Sequence, residues 1–168
     1  VFVYTIWLKR KTPQNIVIGG IAGALPPVIG WTIATNSLSL EPITFFLIIF
    51  FWTPSHFWAL SLYKSDDYKK AKIPMLPLTN GTESTKLNIL VYSLLMIPMI
   101  ILPYAIDFVG LVFLIPALML TFYYNFLCIE LYKFKKNKFD PRKAKTIFGY
   151  SILYLFLIFV IFLIDKIL

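Results

Sequence analysis

Five apolar stretches, each close to the length needed to cross a bilayer, constrain this chain more than any other feature of its sequence. They cover residues 15–35, 42–63, 87–106, 108–131 and 146–164. A helix rises 1.5 Å per residue, so about 20 apolar residues span about 30 Å of hydrocarbon. Only 14% of residues are charged and 59% are hydrophobic, whereas a soluble domain carries about 25% charged residues. The sequence therefore excludes a soluble or disordered protein and predicts an all-α, polytopic transmembrane helix bundle with five full spans.

A shorter apolar stretch precedes the first span. Residues 1–7 are apolar and the chain starts at Val1 rather than Met. We expect this stretch to be the stub of a truncated helix. Residues 1–168 are then expected to form one transmembrane domain that is incomplete at its N-terminus.

Basic residues are confined almost entirely to alternate connections between the spans. Fifteen of the sixteen basic residues lie in the first, third and fifth connections, at 8–15, 64–86 and 130–145. Cytoplasmic loops carry an excess of Lys and Arg. The pattern predicts that these three connections are cytoplasmic and that the C-terminus is outside. It also explains the net charge of +8 without a nucleic-acid partner, and we expect none.

The chain's one histidine, His56, lies inside the second full span. An ionisable residue at that depth is costly and is a functional candidate. The alternative is an uncharged histidine that hydrogen-bonds between helices. If the helix continues past Tyr63, residues 56, 60, 63 and 67 share one helix face, and a polar stripe then leads from His56 to Asp67.

The third connection, residues 64–86, contains the acidic pair Asp66 and Asp67. Carboxylates at a membrane boundary suit Mg²⁺ that is bound together with substrate phosphates. The alternative is solvated charge paired with nearby lysines. The apolar run Ile73-Pro74-Met75-Leu76-Pro77-Leu78 could form a lid over a site or lie in the interface.

A second charged cluster, Lys9-Arg10-Lys11, is expected at the same membrane face. Arg forms a bidentate fork that suits a diphosphate, although a topology signal or contact with anionic lipid would need the same residues. Gly19, Gly20, Gly23 and Ala24 have the small-xxx-small spacing of close helix packing. The lysines of the fifth connection are interpreted as topology signals.

Four stretches, taken in order and spacing, resemble the haem O synthase family of the UbiA-type intramembrane prenyltransferases. They are Tyr4-Thr5-Ile6-Trp7-Leu8-Lys9-Arg10 with Thr12-Pro13-Gln14-Asn15; Ile18-Gly19-Gly20 to Gly30-Trp31; Phe51-Trp52-Thr53-Pro54-Ser55-His56-Phe57-Trp58-Ala59-Leu60; and Asp67-Tyr68 with Ala71 and Ile73-Pro74-Met75-Leu76-Pro77. The resemblance is carried by residues 1–86, and hydropathy alone supports the remainder.

The resemblance implies the C-terminal part of a nine-helix fold around a cavity, with 64–86 as a cytoplasmic active-site loop. It implies transfer of a farnesyl group from farnesyl diphosphate to a vinyl group of protohaem IX (haem B), giving haem O. The fragment itself would be inactive, because the first aspartate-rich motif of the family would lie upstream. The second motif corresponds to the Asp66-Asp67 region, where Ala71 replaces the second aspartate of many relatives.

The resemblance also implies roles for individual residues. Asp67 and Asp66 would bind Mg²⁺, and Asp67, His56 and Arg10 would be catalytic. The diphosphate would be bound by Lys9, Arg10, Tyr4 and Asn15. The expected partners are the lipid bilayer and haem A synthase or oxidase assembly proteins, and the expected location is a bacterial plasma membrane or, alternatively, the mitochondrial inner membrane.

Two other functions remain open from the sequence. One is a UbiA-type prenyltransferase that acts on a quinone or chlorophyll precursor. The other is a transporter or structural membrane subunit, for which proline-kinked helices and His56 would also serve.

Overall fold

The computed structural model describes Thr12, residues 14–133 and residues 140–168. These residues form eight helices: α1 (Asn15–Ala24), α2 (Pro26–Thr35), α3 (Leu40–Tyr63), α4 (Ser65–Lys70), α5 (Leu76–Thr79), α6 (Gly81–Ala105), α7 (Leu111–Lys133) and α8 (Pro141–Ile167). The predicted all-α transmembrane bundle is confirmed. The predicted N-terminal stub lies outside the described residues.

Within the described residues, five helical segments are long and apolar enough to cross a membrane, which agrees with the predicted five full spans. The helices extend beyond the apolar stretches at several ends. The third span begins at Gly81 rather than at residue 87, and the fifth runs over Pro141–Ile167 rather than 146–164. Apolarity marks only the part of a helix that lies in hydrocarbon, so polar first turns such as 81–86 were assigned to a loop.

The first span is divided into α1 and α2 at Leu25. Pro26 and Pro27 follow, and neither has the backbone N–H that an uninterrupted helix would direct at the preceding turn. α2 then ends at Thr35, and the next residue, Asn36, adopts a left-handed conformation with φ of 52°. Asn tolerates that conformation better than most side chains do.

The predicted polar stripe from His56 to Asp67 is wrong. α3 ends at Tyr63, Lys64 leaves the helical region with φ of −112° and ψ of 29°, and Asp67 belongs to the separate helix α4. Residues 64–86 are consequently not a loop throughout. They hold α4, α5 and the first turns of α6.

α3 lies at the centre of the bundle and packs against α1, α2, α6 and α8, while α7 packs between α6 and α8. The buried core includes Ile48, Trp58, Met96, Phe113 and Tyr154. The end of the bundle that carries residues 64–80 is called the basic end below. The other end carries the turns at 36–39 and 106–110.

A clasp at the end opposite the basic end joins α8 to the start of α7. The Asp165 carboxylate accepts hydrogen bonds from the backbone N–H groups of Gly110, at 3.0 and 3.1 Å, and Phe113, at 3.1 Å. Lys166 donates to the Phe108 carbonyl oxygen. A carboxylate at a helix N-terminus satisfies unpaired N–H groups and is favoured by the helix dipole.

Candidate active site

A cavity of about 440 Å³ opens between α1, α3 and the segment that follows α3. Small-molecule sites commonly occupy roughly 300–1,000 Å³, so this volume suits a ligand. On α1 the lining extends from Asn15 to Gly23, which is roughly 12 Å along the helix axis at 1.5 Å per residue. The cavity therefore penetrates from the basic end into the apolar part of the bundle.

The α1 wall of the cavity is made mostly of backbone and small residues. Gly19, Gly20 and Gly23 all line it. A Cβ added at Gly20 would lie 3.3 Å from Thr53 Cγ2, whereas one added at Gly23 would meet nothing within 4 Å. Gly20 thus permits the close approach of α1 to α3, as its spacing predicted, and Gly23 leaves space open.

The α3 wall is apolar and aromatic. Ile49, Trp52, Thr53 and Phe57 line the cavity. The Thr53 hydroxyl donates to the Ile49 carbonyl oxygen at 2.7 Å, so Thr53 offers the cavity little hydrogen-bonding capacity. This wall suits a hydrocarbon ligand.

Polar groups are concentrated at the basic end of the cavity. Asn15, the first residue of α1, is 1% exposed, and Tyr68 of α4 lines the cavity together with Ile73 and Met75. Partial burial raises the pKa of Tyr68, so its hydroxyl stays protonated and can donate a hydrogen bond. The cavity consequently has a polar mouth and an apolar interior.

Asp66 and Asp67 lie on α4 beside this mouth and are exposed. Asp67 forms an ion pair with Lys64 at 3.3 Å, and this hydrogen bond raises the pKa of Lys64. Neither aspartate is among the residues that line the cavity. A ligand group bound by them would protrude from the mouth.

The described residues contain no cluster of three or more His, Cys, Asp or Glu side chains that could hold a metal ion. Mg²⁺ rarely needs such a cluster, because it is commonly bound by one or two carboxylates together with substrate phosphates and water. Asp66 and Asp67 are compatible with that mode of binding. A cation at this position would depend on an anionic ligand to complete its coordination.

His56 is 7% exposed and faces α8 rather than the cavity. Its Nδ1 lies 2.6 Å from Ser151 Oγ. Its ring is stacked between Trp52 and Phe148, with centroid distances of 4.3 and 4.6 Å. His56 is thus separated from the cavity by one aromatic layer, because Trp52 and Phe57 line the cavity and both contact the His56 ring.

The structure brings together only some of the residues singled out from the sequence. Asn15 lines the cavity, Asp66 and Asp67 lie beside its mouth, and His56 lies behind its wall. Tyr4, Lys9 and Arg10 lie outside the described residues. The functional roles of all these residues stay predictions.

Sequence reasoning missed Tyr68 as a cavity residue, and it interpreted the glycines as packing residues only. Tyr68 is the one aromatic side chain among the lysines of residues 64–72, which is the signal that could have identified it. Nothing local distinguishes Gly20, which meets α3, from Gly23, which lines open space.

Three curated proteins to which the chain is similar along nearly its whole length carry the same name. The chain is 93% identical over its whole length to a protoheme IX farnesyltransferase from Pelagibacter ubique, of which it covers 55%. It is 49% identical over 99% of its length to the protoheme IX farnesyltransferase of Parvibaculum lavamentivorans, and 48% identical over 97% to that of Neorickettsia sennetsu, and it covers 52% of each. The chain thus spans about half the length of the curated relatives it matches.

No solved structure matches the chain. The model of the UbiA prenyltransferase family matches residues 1–157, which is nearly the whole chain. The match includes the cavity-lining residues of α1 and α3 and the segment that carries Asp66, Asp67 and Tyr68. The chain therefore belongs to the UbiA prenyltransferase family.

Proposed function

We propose that the protein of which this chain forms a part transfers a farnesyl group from farnesyl diphosphate to a vinyl group of protohaem IX, giving haem O. The cavity carries the proposal, because its apolar interior and polar mouth match a hydrocarbon chain that ends in a diphosphate. The names of the relatives support the same reaction.

The cavity interior would bind the farnesyl chain. Ile49, Trp52 and Phe57 present apolar surface, and the glycines of α1 leave room beside it. Burial of hydrocarbon there stabilises the complex by roughly 25 cal/mol per Å² of apolar surface removed from water. The apolar wall would also keep water from the reacting carbon until the new bond has formed.

The diphosphate would lie at the mouth. Asp66 and Asp67 would hold Mg²⁺ against it, while Tyr4, Lys9, Arg10 and Asn15 would bind its oxygens. Tyr68, which lines the cavity, would donate a further hydrogen bond. When bound, the cation supplies positive charge that stabilises the leaving group.

The chemistry requires the C1–O bond of farnesyl diphosphate to break, with its electron pair leaving on the diphosphate. A terminal vinyl carbon of protohaem IX bonds to C1, and water adds to the adjacent carbon and releases a proton. Lys9 and Arg10 would neutralise the negative charge that develops as the bond breaks. His56 stays the candidate for the group that accepts the proton released by this water.

The basic end would face the cytoplasm of a bacterial cell, with the chain in the plasma membrane. Single cysteines at Lys70 and Asp107, which are exposed at opposite ends of the bundle, would test this. We expect an impermeant thiol reagent added to intact cells to label position 107 only. The native Cys128 is fully buried and should contribute little background. Labelling of position 70 alone would show that the chain has the opposite orientation in the membrane.

Association with haem A synthase or oxidase assembly proteins is a separate expectation. Co-purification from native membranes would test it. Recovery of the full-length protein alone, at detergent concentrations that preserve other membrane complexes, would contradict it.

Pigment extraction from cells that express the full-length gene tests the reaction itself. We expect haem O from the wild-type protein and none from Asp67→Asn, because the variant loses a metal-binding charge. Asp107→Asn is the matched control, since Asp107 is exposed at the opposite end and should leave product formation unchanged. Chelation of divalent cations in isolated membranes should abolish transfer reversibly.

Two results would contradict the proposal. Normal haem O from Asp67→Asn would remove Asp67 from the site. A wild-type protein that prenylates a quinone precursor and leaves haem unmodified would show that the reaction is assigned to the wrong acceptor.

A further inference from the structure

Ser151 of α8 is hydrogen-bonded to two aromatic residues of α3, His56 and Trp52. Its hydroxyl oxygen lies 2.6 Å from His56 Nδ1, and its carbonyl oxygen accepts a hydrogen bond from Trp52 Nε1 at 2.9 Å. Ser151 is fully buried, and 95 residues separate it from His56 along the chain. One residue of α8 thus contacts both the histidine and the cavity wall.

The hydrogen-bond pattern determines where the histidine carries its proton. The Ser151 hydroxyl also lies 2.7 Å from the Phe148 carbonyl oxygen, and a carbonyl oxygen can only accept. A hydroxyl has one hydrogen to donate, so donation to Phe148 leaves the Ser151 oxygen as an acceptor. His56 must then donate from Nδ1, and Nε2 is the nitrogen that carries a lone pair.

The surroundings of the ring leave Nε2 as the ring nitrogen without a hydrogen bond to a described residue, although Phe57 also contacts the ring edge-on at a centroid distance of 5.1 Å. Trp52 and Phe148 cover its two faces, and Ser151 occupies the Nδ1 position. No described residue is hydrogen-bonded to Nε2. That atom is therefore the part of His56 that can accept a hydrogen bond, take up a proton or bind a metal.

We propose that Ser151 is a positioning residue that holds His56 in the Nδ1–H tautomer, so that Nε2 is left as the acceptor of a histidine that lies directly behind the aromatic wall of the prenyl-transfer site. The proposal rests on the proposed function for the role of Nε2, but the tautomer itself does not depend on it. Partners that fix the tautomer of a metal-ligating histidine commonly affect metal affinity or activity by roughly 10- to 100-fold, and we expect an effect at the lower end of that range here.

The tautomer can be measured directly by ¹⁵N NMR of histidine-labelled full-length protein in detergent or nanodiscs. This chain contributes one histidine, and the signals that disappear in His56→Asn identify it. We expect a protonated, pyrrole-type Nδ1 and an unprotonated, pyridine-type Nε2. A proton on Nε2 with an unprotonated Nδ1 would overturn the proposal without any change at Ser151.

Ser151→Ala then tests the role of the hydroxyl. We expect the His56 signals to become a mixture of tautomers and haem O formation to fall roughly 10-fold or more. Ser61→Ala is the matched control, because Ser61 is also fully buried and donates to the carbonyl oxygen three residues earlier, at 2.9 Å, without contacting His56. It should change neither the spectrum nor the rate.

A second pair of variants separates positioning from packing. Ser151→Cys keeps the approximate volume but accepts hydrogen bonds poorly, so we expect it to resemble Ser151→Ala rather than the wild type. His56→Asn keeps a donor near the Nδ1 position and lacks Nε2, so it should fold normally and lose activity. An unchanged His56 tautomer in both Ser151 variants would overturn the proposal. A wild-type protein with the expected tautomer and no prenyl transfer would instead refute the proposed function.

Discussion

Helix α3 is tightly joined to its neighbours on the side that faces α7 and α8, and it borders a cavity on the side that faces α1. On the first side Ser55 Oγ lies 2.8 Å from the Tyr124 hydroxyl, and His56 is bonded to Ser151. On the second side Gly20 lies close to Thr53, and a cavity of about 440 Å³ lies beside this contact. In the most apolar 18-residue stretch of α3, 50% of the residues are buried. In the corresponding stretch of α1–α2, 11% are buried.

The difference shows how contacts between helices arise in a membrane. Lipid is as apolar as the helices, so association depends on close fit and on hydrogen bonds between helices. The side toward α7 and α8 has buried serine, histidine and tyrosine groups that bond across the interface. Toward α1 the backbone approaches α3 closely at Gly20, and a cavity lies beside this contact.

Gly20→Leu should have the largest effect, because it removes the close approach on the cavity side. The new side chain would start 3.3 Å from Thr53 Cγ2, and overpacking of this kind costs about 1–3 kcal/mol. Thermal unfolding of the full-length protein in detergent would measure the loss. Gly23→Leu is the matched control, since nothing lies within 4 Å of the added Cβ. Equal destabilisation by both variants would contradict the comparison.

Gly23→Leu should instead reduce prenyl transfer while leaving stability unchanged or slightly higher. The leucine would occupy space in the cavity, and it also favours the helix more than glycine does. We expect a fall in farnesyl transfer of roughly tenfold, which corresponds to about 1.4 kcal/mol. Steady-state rates at varied farnesyl diphosphate concentration would measure it. Wild-type kinetics would mean that the prenyl chain lies elsewhere.

Asp165→Ala should destabilise the α7–α8 clasp by about 1 kcal/mol, because it removes the acceptor for Gly110 and Phe113 at the α7 N-terminus. Asp165→Asn keeps one acceptor oxygen and should lose less. Unfolding midpoints in detergent would rank the variants. Haem O formation should persist in both, since Asp165 lies at the end opposite the cavity mouth. An Asp165→Ala variant as stable as the wild type would show that the clasp contributes nothing.

The bond between Ser55 and Tyr124 should show the smallest effect, with a coupling of about 0.6 kcal/mol, as is typical of hydrogen bonds between membrane helices. Ser55→Ala, Tyr124→Phe and the double variant form the cycle that measures it. Zero coupling would indicate that the packed side depends on shape alone.

Much of the fold was predictable because its determinants are local. The number of spans follows from apolar length, and each predicted span corresponds to a helical segment. The break at Leu25 follows from Pro26 and Pro27. The boundaries at Gly81 and Pro141 were missed because polar residues continue a helix beyond the hydrocarbon. The stripe from His56 to Asp67 failed because no periodic pattern indicated that α3 would end at Tyr63.

The candidate site was less predictable, since its parts come from separate elements. Asn15, Asp66, Asp67 and His56 were singled out from the sequence, but only Asn15 lines the cavity. Tyr68 reaches the mouth because α4 turns away from α3 after Tyr63. Those positions depend on how short helices are placed, which the sequence pattern does not specify.

The sequence by itself determined that this chain is a bundle of membrane-crossing helices with its basic residues concentrated in alternate connections. The apolar length of a segment and the charge of a connection depend only on residues that are adjacent in the sequence, so both can be determined without knowledge of the fold. Only the tertiary structure decided that His56 turns toward Ser151 and that Gly23 borders open space while Gly20 meets Thr53. These outcomes depend on which surfaces of distant helices meet, and that is settled by the fit and hydrogen bonding of the whole bundle.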